Sequence, residues 1–327
     1  MGGGTGVLEG QRAAVTGVVW RGGRRAGPLP GAWVVLHRVT MRGGGAVDSV
    51  RSDPRGHFRL AVSRPDTSAI YLVSTLHAGV AYFSAPLPLP PQGTRSADTL
   101  FVWDTTSAGA PLTISRRLLT VARPKPDGTR DVLEIIELNN ADTRTRVAPD
   151  TVRPTWAGAI PAEAIQFQAG QGDFSAQAVT RRGDSVLVFG PVQPGGPRQL
   201  TYGYVLPTTG RPVAVPIDQA VAELDLLLED TTARAGAPAL VALGVTAIED
   251  RRFARYRAGP VRAGAPVTIE FPSGPFRWER LVPAIAVAAA GALAVGMFIA
   301  LRKKTSDVSP QTSDVLRGSR GPHNVAS

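Results

Sequence analysis

The chain has 327 residues, a formal net charge of +10 and no cysteine. The missing thiols exclude a disulfide framework, a thiolate metal site and a cysteine nucleophile. The positive balance does not indicate nucleic acid, because its arginines are scattered among Ala, Gly and Pro rather than gathered with aromatics on one face.

After a glycine-rich N-terminus (residues 1–11), short runs of apolar and β-branched residues recur between Gly, Pro, Asp and Asn, with few segments of helical period. Candidate strands in the first hundred residues lie near Val15 to Trp20, Ala32 to Val39, Ala46 to Arg51, His57 to Val62, Ala69 to Leu76, Val80 to Ser84 and Thr99 to Trp103. That spacing suits a small β-sandwich. The clearest local signal is Asp53-Pro54-Arg55-Gly56, a proline-preset turn closed by glycine. It feeds His57 to Val62, where Phe58, Leu60 and Val62 share one face, and it reads as a hairpin. Pro86 to Pro91 reads as a stiff surface loop or a polyproline ligand.

Gly17-Val18-Val19, Gly27-Pro28-Leu29-Pro30-Gly31-Ala32-Trp33-Val34-Val35-Leu36 and Ser52-Asp53-Pro54-Arg55-Gly56-His57-Phe58-Arg59-Leu60 occur in this order. Residues 12–105 thereby resemble the carboxypeptidase regulatory-like domain, a transthyretin-like sandwich. The resemblance implies an accessory module in an extracytoplasmic setting rather than an activity.

Past a linker near Thr105 to Pro111, residues 106–275 read as a second all-β region of one or two sandwiches, with a candidate division near 207–212. Val132 to Leu138 is a strand, Asn139 to Asp142 a turn and Thr143 to Val147 a return strand. Ser185 to Phe189, Gln199 to Leu206, Leu240 to Ile248 and Pro266 to Phe271 are further strands, and Val221 to Leu228 fits a strand or a short helix. The run from Arg251 to Arg257 alternates cations with aromatic or small residues, as an edge or solvated strand face would. The stretch from Glu134 to Phe271 is also similar to a region of bacterial envelope proteins that follows such a module and precedes a membrane helix.

Leu281 to Leu301 carries no charge and is closed by Arg302, Lys303 and Lys304. A helix of that length spans a hydrocarbon core of roughly 30 Å. The expectation is therefore an all-β protein of two or three tandem β-sandwiches followed by one C-terminal transmembrane helix at 276–302 and a tail at 303–327. The three cations favour a cytoplasmic tail and a periplasmic body in the bacterial inner membrane. The start Met1-Gly-Gly-Gly-Thr-Gly-Val has no apolar core of a signal peptide. Export then requires an upstream start; a tail-anchored cytoplasmic body is the alternative. Ala286, Ala290 and Ala294 at i, i+4 spacing, with Gly291 and Gly296, allow close approach of a partner helix.

Linear signatures of catalysis are missing. His37, His57, His77 and His323 lack the H-x-x-E offset of a carboxypeptidase-type zinc site. G-x-S-x-G and G-x-x-x-x-G-K-[ST] do not occur. Gly183-Asp184-Ser185 looks like the start of a GDS-type esterase, and Arg182-Gly183-Asp184 like an adhesion tripeptide, but a tight turn feeding a strand explains both. No catalytic, cofactor-binding or metal-ligating set is expected, no cofactor, and no nucleic-acid partner. The expected partners are the lipid bilayer and other subunits of a membrane complex, with photosynthetic or respiratory electron-transfer assemblies as examples. The expected role is a non-enzymatic structural, docking or assembly subunit. An envelope ligand-binding receptor, or an enzyme whose site has no linear motif, is the alternative.

Overall fold

A computed structural model describes residues 12–207 and 211–272. The expected membrane helix and tail, and with them Ala286, Ala290, Gly291, Ala294, Gly296, Arg302, Lys303 and Lys304, lie outside the described residues. Among the described residues no helix is long and apolar enough to cross a membrane. They form an all-β fold holding two hydrophobic cores.

The first part contains β1 (Arg12–Arg21), β2 (Gly27–Pro28), β3 (Trp33–Thr40), β4 (Gly43–Arg51), β5 (His57–Ser63), β6 (Ile70–His77), β7 (Val80–Phe83), β8 (Leu87–Pro88), β9 (Gly93–Ser96) and β10 (Leu100–Val102). Strand β1 organises one sheet. Its N-terminal half pairs with β5 and β9, and its C-terminal half with β10 and β2. The facing sheet runs β4-β3-β6-β7, with β8 beside β6. Val15, Val19, Phe58 and Leu60 from the first sheet meet Val34, Leu36, Tyr71 and Val73 from the second. This is the two-layer burial that alternating strands require.

Strand β5 alternates as its sequence demands, with Phe58, Leu60 and Val62 buried and His57, Arg59 and Ala61 exposed. The Asp53–Gly56 turn also forms: Asp53 Oδ1 accepts from the amides of Arg55 and His57, both at 2.8 Å, and Gly56 takes φ 78°. The expected hairpin does not form. Strand β4 pairs with β3 and β5 with β1, so the turn carries the chain from one sheet to the other. A side chain ties the two strands instead, as Asp48 Oδ2 accepts from the Ala61 amide at 2.7 Å. The proline-rich stretch is pinned from within, because Leu87 and Leu89 belong to the first core.

The second part contains β11 (Thr105–Thr106), β12 (Thr113–Val121), β13 (Arg130–Asn139), β14 (Thr145–Arg146), β15 (Trp156–Ala159), β16 (Ile165–Ala169), β17 (Val179–Arg182), β18 (Ser185–Val188), β19 (Arg198–Leu206), β20 (Val213–Val215), β21 (Val221–Leu228), β22 (Arg234–Gly236), β23 (Val241–Ile248), β24 (Arg251–Ala258) and β25 (Val267–Glu270). A seven-stranded sheet runs β16-β19-β13-β12-β21-β24-β23, parallel only between β12 and β21. The three-stranded sheets β15-β18-β17 and β20-β25-β22 share one core with it. Strands on both sides of residues 207–212 contribute to that core, Leu200, Tyr202 and Tyr204 from β19 and Leu224, Leu226 and Leu228 from β21.

Two local expectations are corrected and one choice is decided. Thr145–Arg146 does not return along β13, whose two neighbours are β12 and β19; it pairs in parallel with β11. Asn140 forces this departure. It is buried, and its Nδ2 donates to the carbonyls of Arg144 (2.9 Å) and Val192 (2.8 Å), so the loop curls inward rather than back along the strand. Val221 to Leu228 is a strand, not a helix. The Arg251–Arg257 run is not an edge, because β24 lies between β21 and β23. The tip Gly183–Asp184 does connect antiparallel β17 and β18, with Gly183 at φ 62° in the first position of a two-residue loop.

The two parts interlock where β11 and β14 pair. Tyr82 Oη donates to the Trp103 carbonyl at 2.9 Å and lies 2.9 Å from Thr145 Oγ1, while Val147 packs against the first core. Gly23, at φ 81°, brings its Cα face so close to the Thr143 carbonyl that an added Cβ would sit 2.6 Å from that oxygen.

Candidate functional site

Strand alternation gives the β4-β3-β6-β7 sheet two faces. The inner one feeds the core, and the outer one carries apolar side chains as well. In register, Val39 faces Ile70, Val35 faces Ser74, Ser74 faces Phe83, and Leu76 faces Ala81. Leu76 is 68% exposed and Phe83 61%, and Trp33, Val39 and Ile70 are exposed on the same side. Arg51 edges the patch, its guanidinium 5.4 Å from the Trp33 ring centre and donating to the Gly31 carbonyl at 3.0 Å. Such rows of apolar groups left in water favour association with a complementary surface. The period-2 pattern of β6 showed that one face would be buried; that the opposite face is nearly as apolar was readable in Ile70, Leu72 and Leu76.

The histidines considered as metal ligands do not converge. His37 Nε2 lies 2.7 Å from Ser74 Oγ, His77 Nε2 lies 3.0 Å from Asp104 Oδ1, and His57 stands on the other sheet. Among the described residues no three His, Cys, Asp or Glu side chains gather as a metal site.

Sequence reasoning missed the charged interior of the second part. Arg117 on β12 and Glu134 on β13 project into its core, their side chains 3% and 0% exposed. Arg117 Nε donates to Glu134 Oε2 at 2.7 Å, Nη2 lies 2.7 Å from the same oxygen, and Nη1 donates to the Pro216 carbonyl at 2.9 Å. Tyr204 Oη donates to Glu134 Oε1 at 2.8 Å and Tyr202 Oη to Oε2 at 3.2 Å. Burial works against the Arg117 charge, but the Glu134 carboxylate beside it outweighs this and holds its pKa above the ordinary guanidinium value. Burial first, then the Glu134 charge, pushes both tyrosine hydroxyls well above the phenol range. The carboxylate is thus enclosed by its own donors and serves to order the core.

A second charged layer covers the opposite face of the large sheet. Asp225 accepts from Arg257 Nε at 2.9 Å and from Arg255 Nη2 at 3.3 Å, and Arg116 Nη2 reaches it at 3.4 Å. Glu229 accepts from Arg251 Nε at 2.8 Å and from the Arg123 amide at 3.0 Å. Burial raises both carboxyls, yet hydrogen bonds from Arg257 and Arg251 and the nearby positive charges bring them below their ordinary values. Arg251, Arg255 and Arg257 of β24 are therefore engaged within the chain, with Arg251 over the Phe253 ring and Arg255 across from buried Leu227.

The chain matches no protein-family model, and no curated protein matches it. Among solved structures it is similar to the M1 zinc metallopeptidase of Deinococcus radiodurans, at 13% identity over 50% of this chain and 43% of that one, with a TM-score of 0.32. A two-domain M1 zinc metallopeptidase bound to L-tryptophan aligns at 11% identity over 50% and 44%, with a TM-score of 0.33. The major pilin of Corynebacterium diphtheriae aligns at 12% identity over 66% and 61%, with a TM-score of 0.21. The chain spans less than half the length of the metallopeptidases that it matches. These neighbours correct one expectation: with peptidases among the similar structures, the statement that the chain is not an enzyme is withdrawn. The likeness concerns fold alone and assigns no active site to this chain.

Proposed function

We propose that this chain is a docking or assembly subunit of a bacterial membrane complex, with its β-sandwiches on the extracytoplasmic side and a single C-terminal helix at 276–302 as anchor. The observation that carries the reading is the apolar face that Trp33, Val39, Ile70, Leu76 and Phe83 leave exposed among the described residues. Its occupant is another subunit with an apolar patch, edged by carboxylates that meet Arg51 at the rim. Support for the anchor is the uncharged run Leu281 to Leu301 and the cations that close it. Residues 12–105 fit a carboxypeptidase regulatory-like module, and the observation behind this is that its three motifs fall on β1, on β2–β3 and on the turn into β5.

The test is gentle detergent extraction from native membranes, followed by sizing and mass spectrometry of what travels with the chain. A stoichiometric partner with the native chain, lost from Leu76→Asp/Phe83→Asp, is the expected result. A lone monomer, or a partner fully retained by the double variant, overturns it.

A further inference from the structure

A cleft of about 650 Å³ opens where the two parts meet, lined by Gly22, Arg24, Arg25 and Asp104 from the first and by Ala141 to Arg144 from the second. Its volume falls within the range of small-molecule sites, roughly 300–1,000 Å³. The walls are held from behind. Gly22 lies against the Trp103 indole, Gly23 against the Thr143 carbonyl, and the Ala141–Arg144 loop hangs on Asn140, whose Oδ1 accepts from the Asp142 amide at 3.0 Å. Next to the cleft, β11 and β14 are zipped together and Tyr82 meets Thr145.

The charges in the cleft do not cancel. Asp142 is matched by Arg144, whose Nη2 stands 3.1 Å from its Oδ2, and this guanidinium is the first cause of the carboxyl's lowered pKa. Asp104 takes a hydrogen-bonding contact from His77. Arg24 and Arg25 have no ion pair among the described residues. The lining therefore brings Arg24 and Arg25, neither in an ion pair among the described residues, together with Thr143 and the Asp142-paired Arg144. Guanidinium forks match the paired oxygens of phosphate and carboxylate.

We infer that the cleft between Arg24, Arg25 and Arg144 is a binding site for a small polyanion that carries two or more phosphate or carboxylate groups. The two anionic groups would be taken by different arginines of the lining, so a monoanion gains only half the contacts. This inference rests on the cleft and not on the apolar face, and the two stand or fall separately.

The experiment is calorimetric titration of the purified full chain with pyrophosphate and with citrate, using acetate as the monoanion. Three proteins are compared: the native chain, Arg24→Ala/Arg25→Ala, and a charge-matched control, Arg252→Ala/Arg262→Ala, at exposed positions outside the cleft. Saturable binding of either polyanion is expected, weaker by about tenfold or more in the cleft variant and little changed in the control. Acetate is expected to bind far more weakly. Absence of saturable binding by both polyanions overturns the inference. So does an equal loss in the two variants, which would mean attraction to net charge only.

Discussion

Replacing Arg117 by Met tests whether the buried ion pair is a desolvated one. Both side chains are within 3% of complete burial, and Arg117 supplies two of the contacts to Glu134 Oε2. After the change the carboxylate keeps only the hydroxyls of Tyr202 and Tyr204. Removing one partner of such a pair costs about 3–5 kcal/mol, a large share of a total stability of roughly 5–15 kcal/mol. Adding Glu134→Leu removes the orphaned charge but deprives two buried tyrosine hydroxyls of their acceptor, at about 1–3 kcal/mol each. The quadruple variant, with Tyr202→Phe and Tyr204→Phe as well, leaves the Pro216 carbonyl as the group without its donor. It should recover to within about 1.5 kcal/mol of the native chain or exceed it. Chemical denaturation followed by circular dichroism reads all four proteins. A loss below about 1 kcal/mol for Arg117→Met would refute the reasoning. A quadruple variant no better than the single would refute it too, by assigning the cost to packing.

Three further outcomes are expected. Asp225 and Glu229 have folded pKa values below their unfolded ones, so their stabilisation is present above the ordinary carboxylate range and is lost as pH falls through the lowered values. Asp225→Asn should flatten the acid limb of stability below about pH 4 in pH-dependent thermal melts. Because Tyr202 and Tyr204 are pushed up, their stabilisation holds below the ordinary phenol value and fades as pH rises through the folded ones. Replacing both by Phe should leave tyrosinate absorbance between about pH 10 and 11 unchanged while the chain stays folded. Gly56→Ala should destabilise by about 1–2 kcal/mol in denaturant titrations, since φ is 78° and the added Cβ would lie 2.5 Å from the Val19 carbonyl oxygen.

Much of the first sandwich was legible because its strands alternate cleanly and its turns carry Pro and Gly. Phe58, Leu60 and Val62 show the inner face of β5 without any structure. Pairing was less legible: a turn sequence reports a reversal of the chain, and nothing in Asp53–Gly56 says which sheet receives the next strand. Strand β12 escaped notice because Arg116-Arg117 interrupts its apolar pattern, and the partner that makes Arg117 tolerable lies across the ladder at Glu134. Long-range compensation of this kind leaves no local mark. The apolar outer face was visible in Ile70, Leu72 and Leu76. The arginine cleft was not, since Arg24 and Arg144 meet only through the interlock of the two parts.

That interlock has a practical consequence for dissecting the chain. A fragment ending at Thr105 would leave with an incomplete interior, for Val147 would be missing from the packing against the first core and Tyr82 would lose the Thr145 hydroxyl. A fragment beginning at Thr106 would expose the same seam from the other side. The seam thus makes neighbouring modules interdependent, and a cut placed after Val147 would keep the Tyr82 contact only by parting β12 and β13 from β21 and β19. Stability measured on pieces cut at the linker would report the severed seam as much as either sandwich.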